Sequence, residues 1–273
     1  MYEAFWQLAR KPFEPGAGDA AYFPSEAHRG ALLKLKYAVE QGRAAAVLAG
    51  PGGVGKTLLA DRLVAELDGS VGPVARVVFP QMSHRDLLAY VAAKLGAPQG
   101  VGGGYTVDES IRRLEAFFTD NRAAGRHALL IIDEAHLLDD TGLLETVRLL
   151  LNLGPDAGPP MTVLLVGQMG LLSALGRTPA LEERVAVKSL LRSFSVAETE
   201  EYVKHRMSAA SAEREVFEAP AIEMMHALTG GVPRRLDRLA DLALVIGYAD
   251  GRPSINADHI ESVSRELLSV APE

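Results

Sequence analysis

The 273-residue sequence is long enough for one large or two modest domains with a sizeable core, and its 48% apolar and 23% charged residues match an ordinary soluble globular composition. It has no cysteine, which excludes disulfides, thiolate metal sites and cysteine nucleophiles, and its net charge of −7 argues against strong DNA binding by the whole surface while leaving room for a local basic patch. No run of about 18 apolar residues and no basic-then-apolar opening occurs, so neither a membrane span nor a signal peptide is expected and the cytoplasm is the default location.

In residues 1–24 the aromatics Tyr2, Phe5, Trp6, Phe13, Tyr22 and Phe23 are interleaved with Pro12, Pro15 and Pro24, a pattern that predicts an irregular arm packed against something else. Ser25 reads as the N-cap of a helix with apolar positions Ala31, Leu32, Leu35 and Val39, closed by Gly42. The small apolar run Ala45-Ala46-Val47-Leu48 leads into Gly50-Pro51-Gly52-Gly53-Val54-Gly55-Lys56-Thr57, and a helical run from Leu58 to Leu67 follows at once. G-x-x-x-x-G-K-[ST] between a buried strand and a helix is the phosphate-binding P-loop: glycines let backbone N–H groups point inward, and the helix brings its positive end to the same charge. Lys56 is then expected to reach the β/γ-phosphates of ATP and Thr57 to ligate Mg²⁺, with Leu58 beside them at the helix start.

Residues 74–79 read as the next strand, Ser83-x-x-Asp86 opens a helix to Leu95, and the Gly-rich residues 96–104 read as a mobile loop. Thr106-x-x-Glu109 is a capping box ahead of a helix through Phe117-Phe118. Residues 128–132 form a third apolar strand that ends in Asp133-Glu134-Ala135-His136. A helix over about 141–153 and a turn over 154–160 follow. A fourth strand over 161–166 is ended by Gly167-Gln168, and after a short helical piece residues 185–190 read as a fifth. From Ser195-x-x-Glu198 onward only helical segments appear, over about 195–210, 219–228, 233–248 and 257–268.

Strands alternating with helices predict an α/β fold with a parallel sheet covered on both faces, followed by a small helical domain. The expected divisions are 1–42 (arm and first helix), 43–194 (P-loop core) and 195–273 (helical domain).

A carboxylate at the tip of a buried strand beside the P-loop strand is where Mg²⁺ chemistry needs one, so Asp133 is expected to hold the metal and Glu134 to polarise the attacking water as general base. Lone His136 reads as a packing residue at a helix start. Gln168, at the end of the following strand, reads as a γ-phosphate sensor or water-orienting amide, or else as a strand-end cap. Arg184 reads either as an arginine finger for a neighbouring subunit's γ-phosphate or as a surface residue paired with Glu182 and Glu183. Arg234, after Gly230-Gly231-Val232-Pro233, either reaches back to the nucleotide or is a solvated member of the charged run with Arg235, Asp237 and Arg238.

Taken together these residues resemble the AAA+ ATPases, and within them the ExeA/GspA-type ATPases of the bacterial general secretion pathway. The similarity rests on the arm (Tyr2, Phe5, Leu8, Pro12-Phe13, Phe23, His28, Ala31-Leu32, Leu35, Tyr37, Gly42), the P-loop, Leu130-Ile131-Ile132-Asp133-Glu134-Ala135, Leu149-Leu150-Leu151-Asn152, Val166-Gly167-Gln168 and Gly230-Gly231-Val232-Pro233-Arg234. It implies a five-stranded AAA+ core with a helical lid, Gln168 in the sensor-1 position, Arg184 as finger, Arg234 as sensor 2, and arm aromatics near the adenine. His136 stands where the family usually has Gln, and the arm's usual Asp-Pro pair and a second arginine near Arg184 are missing. Secretion members continue into a transmembrane segment and a peptidoglycan-binding domain, whereas this sequence ends at Glu273, so a stand-alone ATPase core is the expectation.

The expected activity is Mg²⁺-dependent ATP hydrolysis to ADP by a bacterial, ATP-dependent homo-oligomer that acts on an unidentified protein partner, cytoplasmic or held at the inner membrane through that partner. The alternative is a DNA-associated ATPase or transposition regulator of the TniB/MuB type. It needs a basic stripe, and its candidates (Lys188, Arg192, Lys204, Arg206, and Arg234 with Arg235 and Arg238) are scattered among acids, so DNA is not the favoured partner. Glu134 weighs against a switch that only binds nucleotide, and a single P-loop leaves no second helicase domain.

Overall fold

Five apolar segments pair in the computed structural model: β1 (Ala45–Ala49), β2 (Val71–Val77), β3 (His127–Ile132), β4 (Met161–Gly167) and β5 (Val185–Leu190). The structure describes residues 1–14, 22–98, 106–153 and 158–269. The strands are parallel and lie in the order β2-β3-β4-β1-β5. The interior strands read as near-continuous apolar runs because both faces are buried, as a parallel sheet with helical crossovers requires. Ala45, Val47, Ala49, Leu130, Ile132, Val163 and Leu165 belong to one core cluster. The alternate positions Ala46, Leu48, Leu129, Ile131, Leu164 and Val166 are equally buried.

The one-turn α1 (Glu3–Trp6) and α2 (Glu26–Glu40) precede β1, and the crossovers are α3 (Lys56–Glu66), α4 (His84–Lys94), α5 (Val107–Ala123), α6 (Leu143–Leu150), α7 (Gly170–Gly176) and α8 (Pro179–Glu182). Their starts follow the capping residues: Ser83 Oγ accepts from Asp86 N–H and Thr106 Oγ1 from Glu109 N–H. The C-terminal helices are α9 (Val196–Ala209), α10 (Ala219–Thr229), α11 (Pro233–Ala249) and α12 (Ala257–Ser269). Ser195 and Glu198 complete a reciprocal capping box at α9, and proline within the first turn starts α10 and α11.

Four expectations need correction. The strand expected over 74–79 runs Val71–Val77: the last rung is Asp133 N–H to Val77 O at 2.8 Å, and Val78 and Phe79 lie exposed beyond it. The helix expected over 141–153 shortens to α6, because a 3₁₀ helix, Ala135–Thr141, comes first and Gly142 adopts a left-handed conformation between them. The short helical piece after Gln168 is two helices, with Pro179 opening the second. The N-terminal arm carries a helical turn, α1, where an irregular course was expected, while its expected packing is seen: Tyr2, Trp6 and Phe13 are buried in a core with Phe5 and Phe23 against it. Residues 99–104 of the expected loop and 154–157 of the expected turn lie outside the described residues.

The chain divides into two units, one of Ala27–Gly52 with Lys56–Leu191 and one of Met1–Glu26, Gly53–Gly55 and Arg192–Glu273. Residues 1–42 are therefore shared, with the arm in the helical unit and α2 in the sheet unit. In the helical unit Tyr2, Trp6, Leu8 and Phe13 join Phe194, Tyr202, Met225, Leu236, Leu244 and Ile260 in one core. Trp6 donates its indole N–H to Leu244 O at 2.9 Å. Arg206 on α9 is only 8% exposed and donates to Pro12 O (2.6 Å) and Glu14 O (3.2 Å), which fastens the arm to the helices through fixed hydrogen bonds. Within the described residues no helix is long and apolar enough to cross a membrane.

Candidate nucleotide-binding site

The parallel order places β4 between β1 and β3, so the C-terminal ends of these three strands, Gly50, Gln168 and Asp133, share one edge of the sheet. That edge is where open α/β sheets bind ligands. Gly50 N–H reaches Gly167 O at 3.3 Å, which locks the P-loop strand to the Gln168 strand. A side chain on Gly167 would sit 3.1 Å from the His136 backbone nitrogen, so the two strand tips close tightly.

Lys56 opens α3 and is 8% exposed; its ammonium donates to Gly50 O at 2.9 Å and Pro51 O at 2.8 Å, which draws it into the ring of the loop. Gly53 has φ +80°, a left-handed value that L side chains adopt at a cost, and a Cβ there would lie 3.0 Å from Cβ of Arg234. Gly53 O accepts from the Arg234 backbone N–H at 3.2 Å. Among the other predicted loop residues Pro51 and Gly52 are exposed, Val54 is fully buried, Gly55 is partly buried, and Leu58 projects from α3 with 52% exposure.

Thr57 Oγ1 donates to Asp133 Oδ2 at 3.0 Å, which brings the end of the P-loop and the acidic tip of β3 together, as their spacing to the strand ends predicts. Asp133 is 5% exposed, and its other oxygen accepts from Glu134 N–H at 3.0 Å. Oδ2 also takes a guanidinium N–H from Arg76 of β2 at 3.0 Å, and that guanidinium's second nitrogen pairs with Asp61 of α3. Sequence reasoning did not find Arg76 or Asp61. Arg76 alternates with the buried Ala75 and Val77 and so reads locally as an outward-facing charge, which carries no signal of its contact with Asp133.

Glu134 holds a left-handed backbone conformation (φ 51°, ψ 35°), uncommon for a residue with a side chain and a feature that clusters at functional sites. It presents a half-exposed carboxylate 3.4 Å from His136 Nδ1. The same ring nitrogen accepts from Gln168 N–H at 3.4 Å, so His136 meets the end of the Gln168 strand instead of merely packing at a helix start. The Gln168 side chain is exposed.

The donor set suits Mg²⁺ and a nucleoside triphosphate. One hydroxyl and one carboxylate are the hard oxygen ligands that Mg²⁺ uses beside phosphate and water, and no cage of three or more His, Asp or Glu is found among the described residues. Phosphates would be met by the loop amides, the α3 N-terminus and Lys56.

Two predicted residues lie elsewhere. Arg184 precedes β5 and lines a cavity of about 550 Å³ together with Arg43, Arg122 and His127. Burial and the charge of Arg122 push the His127 imidazole below its ordinary pKa. Glu182 pairs with Lys188, and Arg184 forms no ion pair among the described residues, so the acid-paired reading of Arg184 is not what the structure contains. Arg234, at the start of α11, has an exposed side chain.

An AAA domain family model matches residues 39–175, from the end of α2 through α7. General secretion pathway protein A of Aeromonas hydrophila is 31% identical over 281 residues, covering all of this chain and 50% of that protein, so the chain spans about half the length of the curated relative it matches. The Aeropyrum pernix ORC2 protein (ADPNP-ADP complexes) superposes with a TM-score of 0.69 at 19% identity, over 97% of this chain and 73% of that one. Drosophila ORC bound to DNA gives a TM-score of 0.69 at 15% identity, over 96% and 66%. At such identities the two structures speak to the fold. The parallel sheet, the P-loop joined to the Asp133 strand and a family match over half of its residues lead to one conclusion: this chain belongs to the AAA domain family.

Proposed function

We propose that this chain is a Mg²⁺-dependent ATPase that works as a homo-oligomer. The observation that carries the reading is the Thr57–Asp133 hydrogen bond, which sets a hydroxyl and a buried carboxylate at the foot of the P-loop with Glu134 one residue further on. In this reading the loop amides of residues 50–55 and the Lys56 ammonium hold the phosphates, and Thr57 and Asp133 hold Mg²⁺. The metal, when bound, neutralises charge on the transferred phosphoryl group. Glu134 accepts a proton from the attacking water, and Gln168 orients that water or senses the γ-phosphate. Arg234 contributes from the start of α11, whose backbone N–H meets Gly53 O at 3.2 Å. Arg184 serves a neighbouring copy's site.

The relative's printed name, general secretion pathway protein A, supports a role in a secretion pathway, and the proposed action there is on a partner protein complex. The basic residues a DNA reading would use are largely committed: Lys188 pairs with Glu182, Arg192 with Glu198, Lys204 with Glu200, and Arg206 is buried against the arm. ATP turnover by the wild type, in Mg²⁺ and in EDTA, beside Lys56→Ala, tests the proposal. Turnover that survives EDTA or Lys56→Ala refutes it, and stimulation by duplex DNA would move the role to the DNA-associated class.

A further inference from the structure

We propose that Arg76 is a built-in counter-cation for Asp133 that competes with the divalent metal for that carboxylate and so weakens the coupling between metal and nucleotide. The inference rests on the reading of Thr57 and Asp133 as the Mg²⁺ residues, and it concerns a residue outside every motif of the site.

A carboxylate that is 5% exposed needs compensation, because an ionised group leaves water at high cost unless it is paired and hydrogen-bonded. Asp133 receives it from three donors. Glu134 N–H takes Oδ1, while the Thr57 hydroxyl and the Arg76 guanidinium both take Oδ2, each of the three at 3.0 Å. A carboxylate oxygen offers about two lone-pair directions, so Oδ2 is filled. A cation or its bound water approaching from the Thr57 side must displace a donor. Thr57 can stay, because its hydroxyl donates one proton while its lone pairs remain available to a metal. Arg76 is the group that must yield.

The fold gives Arg76 somewhere to go. Its second terminal nitrogen already pairs with Asp61, whose side chain is 55% exposed on α3, so the guanidinium is shared between a buried acid and a surface acid. Arg76 Nε is buried and has no hydrogen-bond partner among the described residues, so the guanidinium is held by its two ends alone. The placement follows from register: Arg76 pairs with Ile131, two residues before Asp133, and points away from the face of Ala75 and Val77. A cation fixed beside the metal carboxylate repels a divalent ion and satisfies its ligand in the ion's absence.

The test uses the full chain and a fluorescent, non-hydrolysable ATP analogue, with affinity measured in EDTA and in saturating Mg²⁺. The readout is the ratio of the two affinities, which by linkage is the metal–nucleotide coupling on the protein. Arg76→Met keeps the stem and removes the charge, and is expected to raise the ratio about tenfold, the scale of one lost charge-assisted hydrogen bond. Asp61→Asn leaves the guanidinium wholly to Asp133 and is expected to lower the ratio about threefold. A residue that only holds β2 to its neighbours would move both variants the same way. Ratios within twofold of the wild type in both variants, or shifts of the same sign, overturn the proposal. Asp61→Asn alters an exposed side chain and keeps the test open if Arg76→Met fails to fold. Wild type that binds no analogue in either condition overturns the ATPase reading, and this inference with it; intact wild-type binding with unmoved ratios overturns this inference alone.

Discussion

Replacing Gly231 by alanine should unfold the helical unit far more readily than replacing Gly230. Both glycines sit in the left-handed region, at φ +68° and +63°, so each alanine meets a conformational cost of roughly 1–2 kcal/mol. The surroundings differ. A Cβ on Gly230 meets nothing within 4 Å, whereas one on Gly231 would lie 2.2 Å from the carbonyl oxygen of Phe194 and 3.0 Å from the His226 ring. The contact at 2.2 Å involves backbone, so no side-chain rotation relieves it.

Relief requires the segment at Phe194 to move off, which breaks the Phe194 N–H to Gly231 O bond of 2.9 Å and disturbs a ring that packs on Phe23 and Tyr202 at 5.5 and 5.1 Å. Losing one buried backbone hydrogen bond costs about 1–3 kcal/mol once its donor is left unsatisfied. The total for Gly231→Ala is then roughly 2–5 kcal/mol, against about 1–2 for Gly230→Ala. The molecule supplies its own probe: Trp6 is the single tryptophan and lies fully buried in the helical core, so its fluorescence in a urea titration follows that unit. Equal losses in the two variants would refute the steric argument.

Three further outcomes follow from the site. Glu134→Gln should keep ATP affinity and lose turnover by a factor on the order of 10² or more, the scale of a positioned general base, in a steady-state assay beside equilibrium binding. Arg184→Ala should bind ATP normally and hydrolyse it poorly, and mixing it with Lys56→Ala should restore part of the activity; absence of rescue at every ratio, with specific activity flat on dilution, would make the chain a monomeric ATPase. Arg206→Met should cost about 2–4 kcal/mol in the Trp6 unfolding curve, since it leaves the buried carbonyl oxygen of Pro12 and the partly buried one of Glu14 without this donor.

Much of this was legible because the signals are local. The P-loop announces itself through eight consecutive residues, and the C-terminal helices start and stop within two residues of expectation, since Ser195 with Glu198, Gly230 and Pro233 act on their own neighbours. The bounds of β2 and the helical arm were not legible. Val78 and Phe79 continue the apolar pattern of β2, and only the end of its ladder on β3 shows that they leave the sheet. Aromatics among prolines read as irregular until Trp6 and Tyr2 find Leu244 and Asp241 more than 200 residues away. Arg76 was invisible for the same reason: its contact with Asp133 depends on parallel register, which no single segment encodes.

Register also decides what Arg184 can do. Val185 pairs with Ala45 at the first residue of β1, and the P-loop leaves from the last, so Arg184 and Gly50 stand at opposite ends of adjacent parallel strands. Five residues at about 3.3 Å each separate them by roughly 16 Å, beyond the span of an arginine side chain. The sequence offered two readings, a finger or a surface residue paired with Glu182 and Glu183, and among the described residues Glu182 pairs with Lys188 and neither acid forms an ion pair with Arg184. Arg184 instead joins Arg43 and Arg122 around an open cavity, where like charges raise the local potential and favour an incoming anion. An arginine so placed can meet a γ-phosphate only when a second molecule brings one, which is why the proposed role of Arg184 and the proposed oligomer stand or fall in the same mixing experiment.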